Sequence, residues 1–103
     1  MLTDFLGSTI PRIAAPLFRD IVWRGPMHNV NGKPCVYLTF DDGPDPKSTP
    51  ALLNILKKTE ATASFLFSGS QAERFPDLVQ ATAYAGPRIG SHGWSHGSAW
   101  RMK

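Results

Sequence analysis

Apolar residues fall in short blocks separated by proline, glycine and polar clusters. Val36-Tyr37-Leu38-Thr39-Phe40 is a continuous β-branched and aromatic run closed by Gly43-Pro44, which predicts a short buried strand. Asp45 to Ser48 read as a loop. Thr49-Pro50 then opens a helix, with Thr49 as N-cap and Pro50 at the first helical position. Leu52, Leu53, Ile55 and Leu56 supply its apolar side. Lys57-Lys58 stand in its last turn, where cations complement the helix dipole. Ala63 to Phe67 repeats the strand pattern. Ser70-Gln71-Ala72-Glu73 has capping-box spacing and starts a second helical segment, which Pro76 interrupts and restarts as far as Ala85. Gly86-Pro87 stops it, and Arg88-Ile89-Gly90 is a third short strand leading into the loop Ser91 to Gly97.

Ahead of the first strand, Ile10, Ile13, Leu17, Ile21 and Val22 recur at helical spacing. They predict an amphipathic helix from Pro11 or Pro16 to just before Gly25-Pro26, with Trp23 as an anchor in the core. Met27 to Lys33 is a turn with a hairpin signal at Asn31-Gly32. His28 reads as a surface residue in that turn, and Cys35 as a small buried strand residue. The order is helix, then strand-helix-strand-helix-strand, which argues for an α/β fold with parallel pairing. Residues 1–33 read as a helical lead-in and residues 34–103 as the α/β domain.

Composition narrows the picture. The 103 residues are 42% hydrophobic and 18% charged, which fits one modest globular domain with a core. The net charge is +3, but the basic residues are scattered and Lys57-Lys58 is their only adjacent pair, so no nucleic-acid partner is expected. A single cysteine excludes an internal disulfide. The apolar stretch from Ile13 to Trp23 is broken by Pro16, Arg19 and Asp20, so no transmembrane segment is expected. The N-terminus has no basic region before its apolar residues and carries Asp4. No secretory signal is evident there, and a cytoplasmic location is expected.

Two clusters could carry chemistry. Asp41 and Asp42 fall at the C-terminal end of the first strand, the edge where α/β folds collect ligands. Ionised and dry, they would repel each other, and either a cation or water removes that repulsion. An ordinary solvated turn is the plain alternative, because Asp-Gly-Pro is common turn chemistry. His92 and His96 are four apart, a spacing that puts two imidazoles on one face of a helix. Gly90, Gly93 and Gly97, with no Glu after His92, favour a loop instead. Two imidazoles and one carboxylate, from Asp41 or Asp42, form a common ligand set for a divalent metal. Two solvated histidines in a Gly/Ser-rich loop are the competing interpretation. A calcium loop at Asp41 fails, because its twelfth position is Leu52 rather than Glu. Trp94 lies between these histidines and Trp100 follows them, and each suits either sugar stacking or packing under the loop.

These motifs resemble a known family. Thr39-Phe40-Asp41-Asp42-Gly43-Pro44 is similar to the first motif, T-F-D-D-G-P, of the polysaccharide deacetylases, carbohydrate esterase family 4. Ser91 to His96 resembles its second, H-[S/T]-x-x-H, and Ala63 to Gly69 its intervening A-T-F-F-x-x-G strand. The resemblance runs from about Lys33 to Gly97. It implies the N-terminal portion of a distorted (β/α) barrel, about three strand-helix units. It also implies metal-dependent hydrolysis of N-acetyl groups on a polysaccharide or oligosaccharide, that is, a hydrolase acting on carbon-nitrogen bonds other than peptide bonds. Asp41 would be the catalytic base. Asp42, His92 and His96 would hold a divalent metal, usually zinc, and the substrate would be an N-acetylated glycan such as a chitin oligosaccharide or peptidoglycan. Two departures matter. Gly93 stands where the family has a loop-ordering Ser or Thr. The family's later Arg-x-Pro-aromatic, Asp/Trp and Leu-x-x-His segments, the last supplying the general acid, do not occur in the 103 residues. Impaired turnover is therefore expected, or a non-catalytic metal- or carbohydrate-binding remnant.

Overall fold

The computed structural model describes residues 15–17, 19, 20, 22, 25–95 and 97. The chain divides into two compact units, Met1–Val36 and Tyr37–Lys103.

In the first unit the expected amphipathic helix is not found among the described residues, since residues 15–17, 19 and 20 lie in turns. Leu17 and Val22, assigned to its apolar face, are exposed. Pro16 has no N–H to give to a helix and disfavours helical backbone in the residue before it, which opposes the periodicity locally. Ile10, Ile13, Ile21 and Trp23 lie outside the described residues. The hairpin signal at Asn31-Gly32 holds. Gly32 adopts a φ of 74°, a left-handed turn conformation. Asn29 Oδ1 accepts from the N–H groups of Asn31 and Lys33, and Cys35 N donates to Met27 O. Cys35 is thus a half-buried hairpin residue rather than a buried strand residue, and His28 is exposed as expected.

The second unit is an α/β layer. Strand β1 (Thr39–Asp41), helix α1 (Ser48–Thr59), strand β2 (Ser64–Phe67), helix α2 (Gly69–Arg74), helix α3 (Pro76–Ala85) and strand β3 (Arg88–Ser91) follow in order. The strands form one parallel sheet in the order β1-β2-β3, so the alternation of strand and helix in the sequence is realised as parallel pairing. β1 is shorter than the apolar run that predicted it. Its pairing begins at Thr39 opposite Ser64, and Val36, Tyr37 and Leu38 are exposed rather than buried. Among the described residues β1 pairs only with β2, so it is covered only as far as β2 reaches, and β2 starts at Ser64.

Phe65 is the centre of the core. It is 2% exposed, and its ring centroid lies 5.2 Å from Phe40 and 5.6 Å from Phe67. Residues two apart on a strand share a face, so Phe65 and Phe67 both turn toward Leu56, Ala63, Leu52, Leu53 and Val79. Ile55, expected on the apolar side of α1, is exposed. Positions 52, 53 and 56 already fill the stripe that faces the sheet, and position 55 falls about 100° from 56 around the helix.

Two helix starts differ from expectation. Thr49 does not cap α1. Its hydroxyl accepts from Asp45 N at 2.9 Å, while Asp45 Oδ2 accepts from Lys47 N, Ser48 N and Ser48 Oγ at 2.8–3.0 Å. Thr49 N also donates to Asp45 O. The first turn therefore begins at Asp45, with Pro46 just inside it, where a missing N–H does no harm. The Ser70 capping box is likewise not formed. Ser70 lies inside α2, and no side chain caps that helix. Pro76 does open α3, and Gly86 closes it with a φ of 103°.

Candidate functional site

The C-terminal end of β2 is the mount for both motifs. On one side the Asp41-Asp42-Gly43-Pro44 turn docks through Asp42 N to Leu66 O at 3.0 Å and Ser68 N to Gly43 O at 2.9 Å. Gly43 suits this close approach, because a β-carbon there would lie 3.1 Å from the Phe67 ring, tighter than ordinary contact. On the other side the loop after β3 docks through His92 N to Phe67 O at 2.9 Å. Gly69 N then donates to Gly93 O at 2.8 Å, and Ser70 N to Trp94 O at 3.0 Å. Parallel pairing puts all three strand ends on one rim, so the two motifs meet there although they are distant in sequence.

Asp41 is the last residue of β1 and is exposed. Asp42 follows at a φ of 74°, a left-handed conformation uncommon for a side-chain-bearing residue and most tolerated by Asn and Asp. Left-handed backbone at a non-glycine residue carries local strain and clusters at functional sites. Asp42 Oδ1 lies 3.4 Å from His92 Nε2, and both side chains are about half exposed. The contact is an ion pair when the imidazole is protonated. Nitrogen and oxygen ligands bound at about 2.0–2.2 Å to a tetrahedral ion lie about 3.4 Å from each other, so this donor pair fits a shared divalent cation. His96, the third expected ligand, lies outside the described residues. Among the described residues no three His, Cys, Asp or Glu side chains converge as a metal-binding group.

A cleft of about 300 Å³ opens beside the carboxylates, lined by Asp41, Asp42, Ser48, Thr49 and Gln71 among others. A larger hollow of about 730 Å³ lies between the C-terminal parts of α1 and α3 and contains none of the motif residues. Asp45 borders the smaller cleft, but its role is structural. The N–H and hydroxyl of Ser48, followed by the N–H and charge of Lys47, hold its carboxyl below the usual carboxylate range.

Sequence reasoning missed how the second loop is held. Gly93 has a φ of 80°, and its N–H donates to Ser91 Oγ at 3.2 Å. Its carbonyl and that of Trp94 take the amides that open α2, in place of a side-chain cap. The Trp94 ring lies against Gly69. The signal was present as the glycine that closes the Ala63–Gly69 segment, but only the paired loop gives it meaning.

The chain has relatives among known proteins. The polysaccharide deacetylase family matches residues 28–103. The chain is similar to a peptidoglycan-N-acetylglucosamine deacetylase of Bacillus cereus, 48% identical over 61 residues that make up 59% of this chain and 22% of that protein. A solved peptidoglycan deacetylase of Bacillus subtilis superposes with a TM-score of 0.63 at 37% identity, covering 65% of this chain and 33% of that one. A family 4 acetyl xylan esterase of Clostridium thermocellum, solved in complex with a cobalt ion, superposes with a TM-score of 0.60 at 32% identity, covering 65% and 33%. The chain thus spans 22% of that curated relative and 33% of each of these solved structures. Its strand-helix units correspond to an N-terminal portion of the deacetylase (β/α) barrel. Both motifs, their shared rim and the matched span lead to one conclusion: this chain belongs to the polysaccharide deacetylase family.

Proposed function

We propose that this chain carries the metal-binding and proton-accepting side of a site that hydrolyses N-acetyl groups on a polysaccharide or oligosaccharide, with peptidoglycan or a chitin-type glycan as substrate. One observation carries the reading. Asp42 and His92, from motifs docked on opposite sides of β2, bring a carboxylate oxygen and an imidazole nitrogen to 3.4 Å. Asp42, His92 and His96 are assigned as ligands of a divalent ion, zinc by family resemblance. Bound there, the ion would supply Lewis-acid polarisation of the acetyl carbonyl and lower the pKa of a water toward about 7. Asp41 lines the same cleft from the preceding position. Its carboxylate, kept off the metal, accepts the proton of the attacking water. The division of labour between adjacent aspartates follows from their backbones: Asp41 ends a strand and Asp42 turns left-handed.

By the same resemblance, the proton donor for the leaving amine belongs to a later segment. The 103 residues alone are therefore expected to release acetate slowly, since losing one acid or base costs about 10²–10⁴ in rate. The test is calorimetric titration of zinc into the wild type, Asp42→Asn and the double variant His92→Ala/His96→Ala. Binding by the wild type and its loss in both variants is the expected result. Equal heats in all three, or none in the wild type, would remove the metal reading. Zinc binding with no acetate release from N-acetylglucosamine oligomers, even on prolonged incubation, would favour a metal- or carbohydrate-binding role without turnover.

A further inference from the structure

Gly93 poses a question about the second motif: what orders the loop when the usual hydroxyl is missing? The loop is held at three consecutive residues. His92 N is bonded to the end of β2, and the carbonyls of Gly93 and Trp94 accept from Gly69 N and Ser70 N. Over this backbone ladder lies the Trp94 indole. A β-carbon at position 69 would overlap Trp94 Cε3 and lie 3.0 Å from Cζ3. The indole is therefore seated directly on the bare α-carbon of Gly69. No positive φ requires glycine there, since Gly69 is the first residue of a helix and is absent from the left-handed positions. The reason for glycine at 69 is room for the ring.

We propose that Gly69 and Trp94 form a clasp that positions His92 against Asp42. Both are positioning residues, because neither reaches the reacting atoms. This rests on the reading of His92 as a metal ligand. The sign of its test is informative. By intrinsic helix propensity alone, alanine at an ordinary helical position is better than glycine, so a propensity account predicts that Gly69→Ala leaves the site intact and the protein somewhat more stable. The clasp predicts a displaced ring and a displaced histidine.

The test uses the full chain in four forms: wild type, Gly69→Ala, Trp94→Ala and the double variant. Zinc is titrated into each, and amide hydrogen exchange at positions 69 and 70 is followed without metal. Gly69→Ala is expected to weaken zinc binding about 10- to 100-fold, the range for losing a group that orients a ligand. It should also speed exchange at both amides. Trp94→Ala should lose less, and the double variant should match Trp94→Ala, because removing the ring removes the overlap. The half-exposed position of Trp94 keeps that variant folded. Wild-type zinc affinity in Gly69→Ala overturns the clasp. So does a double variant whose loss equals the product of the two single losses. A wild type that binds no zinc, yet shows protected amides that Gly69→Ala releases, upholds the clasp and overturns the metal assignment instead.

Discussion

Replacing Phe65 with alanine removes the side chain on which both motifs indirectly depend. Phe65 is 2% exposed and touches Phe40, the residue before Asp41, and Phe67, whose carbonyl holds His92 N. Truncating a buried phenylalanine costs about 3–5 kcal/mol, which includes the cavity it leaves. Domains are stable by about 0.05–0.15 kcal/mol per residue, which for the unit from Tyr37 to Lys103 comes to about 3–10 kcal/mol. The substitution therefore removes between a third and all of the stability. With an m-value near 1 kcal/mol/M, the urea midpoint should fall by about 3 M or the protein should be unfolded in buffer. The assay is urea denaturation followed by circular dichroism, with Tyr84→Ala as control. Tyr84 is 84% exposed, and its truncation should stay within about 0.5 kcal/mol of wild type. Equal midpoint shifts for Phe65→Ala and Tyr84→Ala would refute the assignment of Phe65 as the centre of the core.

The other predictions concern the turns that frame the site. Asp45 has a lowered folded-state pKa, so its contribution to stability is fully present above its ordinary value of 3.8 and is lost as pH falls through the lower folded value. Asp45→Ala should accordingly melt below wild type at neutral pH, and the gap should narrow in acid. A gap that stays constant down to pH 2 in thermal melts would show that the charge contributes nothing. Gly93→Ser, which installs a family-like hydroxyl, should loosen the loop rather than order it, because a φ of 80° disfavours any side chain. The effect is expected at about 1 kcal/mol or somewhat more, and tighter zinc binding by Gly93→Ser would contradict it.

Much of the second unit was legible in the sequence because it depends on local chemistry. Strand runs, the proline opening α3, Gly86 at its end and the lysines closing α1 each act within a few residues, so their positions and types suffice. The family resemblance rested on the same short segments. The start of α1 was misread because Thr49, followed by Pro50, has the cap signature, while Asp45 reads as a loop residue. Only the reciprocal bonds between Asp45 and Thr49 decide between them, and those bonds require the fold to place Thr49 inward. The burial of Val36 to Leu38 failed for a different reason. Hydrophobicity records that a segment prefers cover, whereas cover itself depends on where the partner strand begins. The site followed the same division. Sequence alone nominated Asp41, Asp42, His92 and His96, and the resemblance grouped the last three on one metal, but neither gave a distance between them. Parallel pairing on β2 set the distance between Asp42 and His92, and the seat of Trp94 on Gly69 held the loop, because contacts between distant segments exist only once the backbone is paired.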